Sequence, residues 1–357
     1  MVKTIPVLDA ACLSNGTAQE RAEFSAKFLE SLTEFGFCKL VNHSVPLPVV
    51  EDTFSKVSQI SLSSEPFLMK QQIKSFFKLP FADKKDIIND PKKGQQRGWS
   101  PPGEEKTWWL ESNTGDVESP KFSDNKESFD CGHPDDKQFP NRWPTQEALE
   151  GYQKTMDQFF FDCGDLCSDL LEVLASAMGH ESKLFSSKCT HEATTIRINH
   201  FPPVKRETLE TGQVSRIWPH NDFGIISLVF PDRTGGLEYE DRENPGAFIP
   251  MPYNGDDEVV VIASETIQRW TNGSVRAGLH RVTKPHNMDE NADMVPERWS
   301  LVYFVKADRH VNVGPLKEFV TGEKPMYEDL TALEYQAMRN AVHYPEPEQL
   351  EQVAAAA

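Results

Sequence analysis

Apolar residues along the chain keep a helical period in the first half and a strand-like one in the second. Ile5-Pro6-Val7-Leu8-Asp9 predicts a short opening strand. Residues 18–35 carry Phe24, Phe28, Leu29 and Leu32 at helical spacing. Phe35 to His43 predicts a second strand ending in a turn. Residues 49–60 and 66–87 mix charged and apolar positions as surface helices do, whereas 88–145 is rich in Gly, Pro, Asp and Trp and predicts loop. A long helix is expected from about Thr145 to Gly179, with Met156, Phe160, Leu166, Leu170, Leu171 and Leu174 on its apolar side and Gly179 at its C-terminal end. From about Thr194 the texture changes to short β-type runs at 194–201, 224–230, 258–263 and 299–305, punctuated by Gly-Gly, Asn-Gly and Pro-Gly steps. Helices are expected to return only after about Thr331. The pattern predicts an α+β protein: a helical N-terminal half around a β sandwich or barrel, as one compact unit.

Composition narrows the function classes. With 357 residues, 38% hydrophobic and 10% aromatic, the chain can bury a large core. Its net charge of −18 argues against nucleic acid and anionic membranes as partners, because both require clustered Lys and Arg. It fits a protein whose substrate is a small molecule. No apolar run approaches the ~20 residues of a bilayer span, and Met1 to Pro6 lacks the sections of a signal peptide. A cytoplasmic location is therefore expected. The six cysteines (Cys12, Cys38, Cys131, Cys163, Cys167, Cys189) form no CxxC pair and are expected to be free thiols, with Cys163 and Cys167 in the core. Oligomeric state leaves no mark in the pattern.

Trp218-Pro219-His220-Asn221-Asp222 stands just before the apolar run Gly224 to Phe230. Residues i and i+2 of an extended segment share a face, so His220 and Asp222 can aim into one cavity. Gly278-Leu279-His280-Arg281-Val282 offers a third ligand from a later strand. Two imidazoles and a carboxylate make the facial triad of non-haem iron(II) sites, which leaves positions open for substrate and dioxygen. Zinc accepts the same ligand types, so the donor set alone leaves both metals open. Further on, Arg298-Trp299-Ser300 opens another apolar run; by alternation Arg298 and Ser300 share a face. A guanidinium fork beside a hydroxyl suits a carboxylate, and so implies an acid co-substrate that reaches the metal with its other end.

Each element is weak alone, since most HxD and RxS triplets are surface or cap residues. Their order, HxD, then His, then RxS, each beside a β-type run, is specific. His43 and His200 are expected to be structural hydrogen-bonders. His133, His180, His191, His286, His310 and His343 are expected in loops or at the surface. No GxGxxG, GxxxxGK[ST], GxSxG or HExxH occurs, so nucleotide, serine-hydrolase and zincin readings have no motif behind them.

On these residues the chain resembles the iron(II)- and 2-oxoglutarate-dependent oxygenases of the isopenicillin N synthase type. The likeness runs over nearly the whole length, from Ile5–Asp9, Phe35–Phe37 and Val41–His43 through Arg97-Gly98-Trp99, Lys126–Asp130 and Pro140–Pro144. It is densest at Arg197-Ile198-Asn199, His220–Gly224, Gly235–Glu238, Gln268–Gly273, His280–Val282 and Arg298–Ser300. The resemblance implies a distorted double-stranded β-helix of jelly-roll, cupin-like form, flanked by the helical N-terminal half and a C-terminal helix. It implies an N-terminal dioxygenase region at 1–145, then the long helix and an oxygenase core at about 190–310 within 146–357. It further implies iron on His220, Asp222 and His280, and 2-oxoglutarate held by Arg298 and Ser300 with Asn199 beside them. Two departures stand out. The family's Asn-x-Tyr is Asn199-His200-Phe201 here, so a phenol is missing and His200 is the candidate stand-in. Ala263-Ser264-Glu265 replaces a frequent Gly-Asp, which is expected to alter only a turn. Gly235–Pro250 and Ser264–Pro285 look most like fungal members acting on specialised metabolites, tropolone-forming ring expanders among them. Trp99, Trp108, Trp109 and the acidic loop Glu238–Asn244 are candidates for a substrate pocket.

The implied activity is oxidation of a small organic molecule by dioxygen and 2-oxoglutarate, as hydroxylation, desaturation or ring rearrangement. Two alternatives accompany it: an oxidase of the same fold that dispenses with 2-oxoglutarate, and a non-catalytic small-molecule-binding module.

Overall fold

The computed structural model describes residues 4–45, 73–90, 95–105, 123–145, 149–212, 214–253, 255, 258–322 and 324–343. The helix expected at 49–60, the first part of that at 66–87, and Trp108 and Trp109 lie outside them. The elements that position the site are β1 (Val7–Asp9), α1 (Ala18–Glu34), β2 (Phe37–Val41), β3 (Gly98–Ser100), β4 (Glu127–Gly132), α2 (Tyr152–Ala177), β5 (Thr195–Phe201), β6 (Ile217–His220), β7 (Ile226–Pro231), β8 (Leu237–Glu240), β9 (Phe248–Pro250), β10 (Val259–Ala263), α3 (Glu265–Trp270), β11 (His280–Val282), β12 (Arg298–Val305) and α4 (Ala332–His343).

The helices form where the sequence signals are strongest. Thr17 and Glu20 make a reciprocal capping box at the start of α1. In α2, Tyr152, Met156, Phe159, Phe160, Cys163, Leu166, Cys167, Leu170, Leu171 and Leu174 are buried, a stripe of helical period. The helix starts at Tyr152 rather than Thr145, because Gly151 enters it with φ +77°. Gly179, at φ +80°, ends it: the His180 N–H reaches back to the Ala175 carbonyl and the Gly179 N–H to that of Ser176.

Eight strands form one sheet in the order β1-β2-β10-β7-β12-β5-β4-β3, and four form a second in the order β9-β8-β11-β6. Apart from the parallel β1–β2 pair, neighbours in both sheets are antiparallel. Alternation along each strand divides the core in two. One face of the large sheet (Ile196, Ile198, Leu228, Val261, Leu301, Tyr303) packs with α1 and α2. The other (Phe37, Phe201, Val229, Val260, Ile262, Val302) packs on Ile217, Leu237, Tyr239 and Val282 of the small sheet. Helices, large sheet and small sheet thus stack in layers, with a jelly-roll pair of sheets at one side. The N-terminal part enters directly, since β1 to β4 are strands of the large sheet.

Two expectations need correction and one needs refining. The described part of 88–145 is mostly irregular, as expected, but β3 and β4 lie in it, and every residue of β4 is buried. Its Gly and Asp content hid a strand covered on both faces, where Asp130 pairs with Arg197 across the sheet. The acidic segment Glu238–Asn244 is partly strand β8, closed by a turn from Asp241 to Ala247. Helix also returns before Thr331, in Arg206–Glu210 and α3. All six cysteines are free, and Cys163 and Cys167 are fully buried in α2.

Phe129 in β4 is fully buried against the rings of Phe76, Trp143 and Tyr152. Phe129→Ala should cost about 3–5 kcal/mol of stability, read as a lowered urea midpoint at unchanged slope. A loss below about 1 kcal/mol would remove β4 from the core.

Candidate metal centre and co-substrate pocket

Strands β6 and β11 are register partners with His220 opposite His280, so two imidazoles sixty positions apart in sequence meet across one rung. Their ring centroids are 4.3 Å apart. Asp222 follows β6 by two residues. One ligand atom from each of the three lies within 4.8 Å of the others. The His220 Nε2 is 3.7 Å from Asp222 Oδ1 and the His280 Nε2 is 3.9 Å from it.

The surroundings decide which atoms face the gap. Nδ1 of His220 meets the Trp218 carbonyl at 2.9 Å, and Nδ1 of His280 meets the Gly278 carbonyl at 2.8 Å. A carbonyl only accepts, so both Nδ1 atoms carry hydrogen and both Nε2 atoms present a lone pair. The buried Ser227 hydroxyl donates to Asp222 Oδ2 at 2.6 Å, which leaves Oδ1 toward the imidazoles. The Asp222 carbonyl is held by the N–H of Glu265, at the start of α3. Ser264 and Glu265 therefore do more than shape a turn; they brace the segment that carries Asp222. Two nitrogens and one anionic oxygen on one side of a cavity fit a divalent cation. Zinc and iron(II) both suit this donor set.

The second feature lies along β12. Arg298, Ser300, Val302, Phe304 and Lys306 line the same cavity as His220, Asp222 and His280. Trp299, Leu301, Tyr303 and Val305 turn to the helices. Arg298 is 1% exposed, donates through Nε to the Gly235 carbonyl at 2.9 Å, and has no hydrogen-bond partner for Nη1 among the described residues. Gly235 and Gly236 adopt φ of +86° and +84°, and a Cβ on Gly236 would collide with the Thr283 carbonyl, which accounts for the glycine pair. A second guanidinium, Arg216, is fully buried nearby; burial, then the charge of Arg298, pushes it down to about 10. An orphaned buried guanidinium N–H beside a second cation is costly unless an anion completes the pocket. Ser300 accepts from Asn199 Nδ2 at 3.3 Å, so its own hydrogen is available to a ligand. The pocket fits a carboxylate.

His200 cannot stand in for the missing phenol. It sits on the opposite face of β5 from Asn199 and Phe201, stacked on Trp299 and bonded to Glu127 and Glu297. Period-two alternation alone excludes it. Trp99 faces the helices, where its Nε1 donates to Glu127, and Glu238 binds Arg281 and Thr283; neither lines the cavity. His191 is a loop residue, yet it is packed against Ser168 and Tyr303, and burial pushes its pKa down. Gln96, Lys126, Arg197 and Lys306 are cavity residues to which the sequence alone assigns no role, although Lys306 continues the i, i+2 series begun by Arg298.

A jelly-roll core with this donor set and anion pocket defines a class, the metal-dependent oxygenases that take an oxo-acid. Residues 193–307 match the family model of the 2OG-Fe(II) oxygenase superfamily, and residues 67–146 match that of the non-haem dioxygenase in morphine synthesis N-terminal region. The chain is 38% identical over 348 residues to the 2-oxoglutarate-dependent dioxygenase ecdK of Aspergillus rugulosus, covering 96% of this chain and 100% of that one. It is 38% identical over 350 residues to the 2-oxoglutarate-dependent dioxygenase ucsF of an Acremonium species, covering 95% and 99%. Among solved structures it resembles a full-length Neurospora crassa protein in complex with alpha-KG and thymine, with TM-score 0.78, 27% identity and coverage of 95% and 97%. The chain belongs to the 2OG-Fe(II) oxygenase superfamily. It is an iron(II)- and 2-oxoglutarate-dependent dioxygenase whose cofactor, co-substrate and oxidant are Fe(II), 2-oxoglutarate and O2. The binding-module and 2-oxoglutarate-independent alternatives are thereby set aside. Among the described residues, no helix is long and apolar enough to cross a membrane.

Because Ser227 orients the carboxylate of Asp222, Ser227→Ala should weaken metal affinity by about ten- to a hundredfold while the fold persists. Competition with a metal-sensitive chelating dye measures it; unchanged affinity would reduce Ser227 to packing.

Proposed function

We propose that His220, Asp222 and His280 are the iron ligands, and that Arg298, Ser300 and Asn199 receive the far carboxylate of 2-oxoglutarate. The observation that carries the metal assignment is the pair of carbonyl-locked imidazoles, which present both Nε2 atoms toward Asp222 Oδ1. The unpaired Nη1 of Arg298 supports the co-substrate assignment. When bound, iron(II) supplies the electron-transfer chemistry that couples O2 reduction to decarboxylation of 2-oxoglutarate, giving succinate and carbon dioxide. The chain's own residues fix geometry. Ser227 and the Glu265 N–H hold Asp222, the Gly235 carbonyl aims Arg298, and Ile217, Val229, Leu237, Val282, Val302 and Phe304 give the cavity an apolar lining that disfavours water.

In this reading the substrate is a small organic molecule of fungal specialised metabolism, oxidised by hydroxylation, desaturation or ring rearrangement. The fungal relatives support it: ecdK and ucsF are named as dioxygenases, and buaE of Petromyces alliaceus, 33% identical over 334 residues, as a proline hydroxylase. Residues 1–145 and 146–357 act as one unit, in keeping with β1 to β4, which extend both edges of the large sheet around the strands of the later region. Six unpaired cysteines suit the reducing cytoplasm.

Anaerobic titration of the iron(II) protein with 2-oxoglutarate should produce a saturable visible charge-transfer band. His280→Ala should abolish it. Arg298→Ala should retain iron but raise the half-saturating 2-oxoglutarate concentration at least about tenfold, the loss expected for one charge-assisted hydrogen bond. Unchanged co-substrate affinity in Arg298→Ala would show the clamp assignment to be wrong.

A further inference from the structure

Strand β12 and its continuation present a charged group to the cavity at each end. Arg298 and Ser300 stand at one end and Lys306 at the other, six positions from Ser300, a span on the order of 20 Å along an extended chain. Lys306 follows the strand directly. Its backbone N–H donates to Thr194 Oγ1, and its side chain runs beside Gly224, two residues past Asp222. The Arg298 end is taken by the co-substrate in the reading above, on which this inference rests. The Lys306 end is left facing the remainder of the cavity.

The surrounding charges are unevenly satisfied. Arg197 is bonded twice to Asp130, at 2.9 Å each, and also to Glu105. Lys126 is bonded to the same Glu105. Behind them Arg97 and Arg309 share Asp136, and Arg309 also reaches Glu192. Each of these cations has an acid. Lys306 has none: among the described residues its ammonium makes no ion pair or hydrogen bond. Burial, then the charges of Arg97, Arg197 and Arg309 working against that of Asp130, holds its pKa down to about 7. With Lys126 and Arg197 neutralised by Glu105 and Asp130, the described cavity lining keeps two cations without an acid, Arg298 and Lys306, against one acid, Asp222, in a chain whose net charge is −18. The cavity is thus opposite in sign to the rest of the molecule, and would concentrate anions from solution.

We propose that Lys306 is a specificity-determining residue whose ammonium receives a carboxylate on the organic substrate. One unsatisfied ammonium matches one negative charge. A phosphate dianion would leave one charge uncompensated there, because Arg197 is already occupied by Asp130 and Glu105. Phe304, two residues before Lys306 on the same face, and Phe223, which lines the cavity beside Gly224, suit a hydrocarbon body between the carboxylate and the oxidised carbon. The substrate class is therefore an apolar carboxylic acid, anchored at Lys306 and oxidised at a carbon distant from its charge.

Hydrocinnamate and its neutral amide differ only in that charge and serve as matched probes. Their binding is measured by calorimetry on anaerobic iron(II) protein at saturating 2-oxoglutarate, which blocks the Arg298 end. The acid should bind at least about tenfold more tightly than the amide. Lys306→Met and Lys306→Gln should both remove that preference, and Lys306→Arg should keep it. Equal binding of acid and amide to the unmodified protein, or binding of neither, overturns the proposal. So does an acid preference that survives both Lys306→Met and Lys306→Gln. The same comparison in Arg298→Ala protein without 2-oxoglutarate separates the two assignments. A preference still lost on adding Lys306→Met supports Lys306 whether or not the co-substrate assignment stands. An acid preference that vanishes with Arg298→Ala alone would place the carboxylate at the Arg298 end and overturn the proposal.

Discussion

The register of β11 on β6 is the constraint on which the site depends. It sets His280 opposite His220, and a slip of β11 by one residue would turn His280 onto the outer face of the small sheet, away from His220. The strands are short, so the pairing needs support from outside the ladder. Gly278 supplies part of it. A Cβ there would strike the Phe37 ring and the Gly36 carbonyl, and its N–H donates to the Ala263 carbonyl of β10. The small sheet is thus pinned to the large one two residues before His280. The Gly278 carbonyl meanwhile accepts from that histidine, so one glycine fixes both the register and the tautomer. Tyr239 and Val282, buried between the sheets, complete the clamp.

A second constraint is the alternation of β12, which makes one strand serve two environments. Its odd-numbered residues, Trp299 to Val305, seal the helix side of the large sheet, while the even-numbered ones line the cavity. Because the strand is central, bonded to β7 on one side and β5 on the other, its backbone is fixed relative to His220, Asp222 and His280. Distance between charged ends is then set by backbone geometry alone.

Much of this is legible in the chain, and the reasons are local. His220, Asp222, His280, Arg298 and Ser300 each border a β-type run, and extended backbone has only two faces. The logic of the triad therefore holds without knowledge of the fold. What period reading does not carry is cross-strand partnership. Glu127–Gly132 reads as loop because Asp130 and Gly132 are poor strand formers, yet Arg197 opposite Asp130 neutralises the charge that makes the segment look exposed. Lys306 escapes for a related reason: a lysine after an apolar run looks like a solvated strand end. Only the three-dimensional arrangement shows every neighbouring cation already paired. His200 is the converse case, where proximity in sequence suggests a role that the alternation of β5 denies.

The loss of the family phenol at Phe201 follows the same electrostatic logic. A tyrosine would offer a hydroxyl to the co-substrate; phenylalanine offers its ring to cations. The guanidinium carbons of Arg298 and Arg216 lie 5.0 and 5.8 Å from the ring centroid. Such contacts contribute about 0.5–2 kcal/mol each, too little to offset the several kcal/mol of burying a guanidinium. They orient Arg298 without neutralising it, as does the Gly235 carbonyl at its Nε. An acid in that position would have stabilised the empty pocket and competed with the incoming carboxylate. With an aromatic face instead, the pocket keeps an uncompensated positive charge, and under the proposed assignment the free energy of satisfying it is released when the carboxylate of 2-oxoglutarate binds.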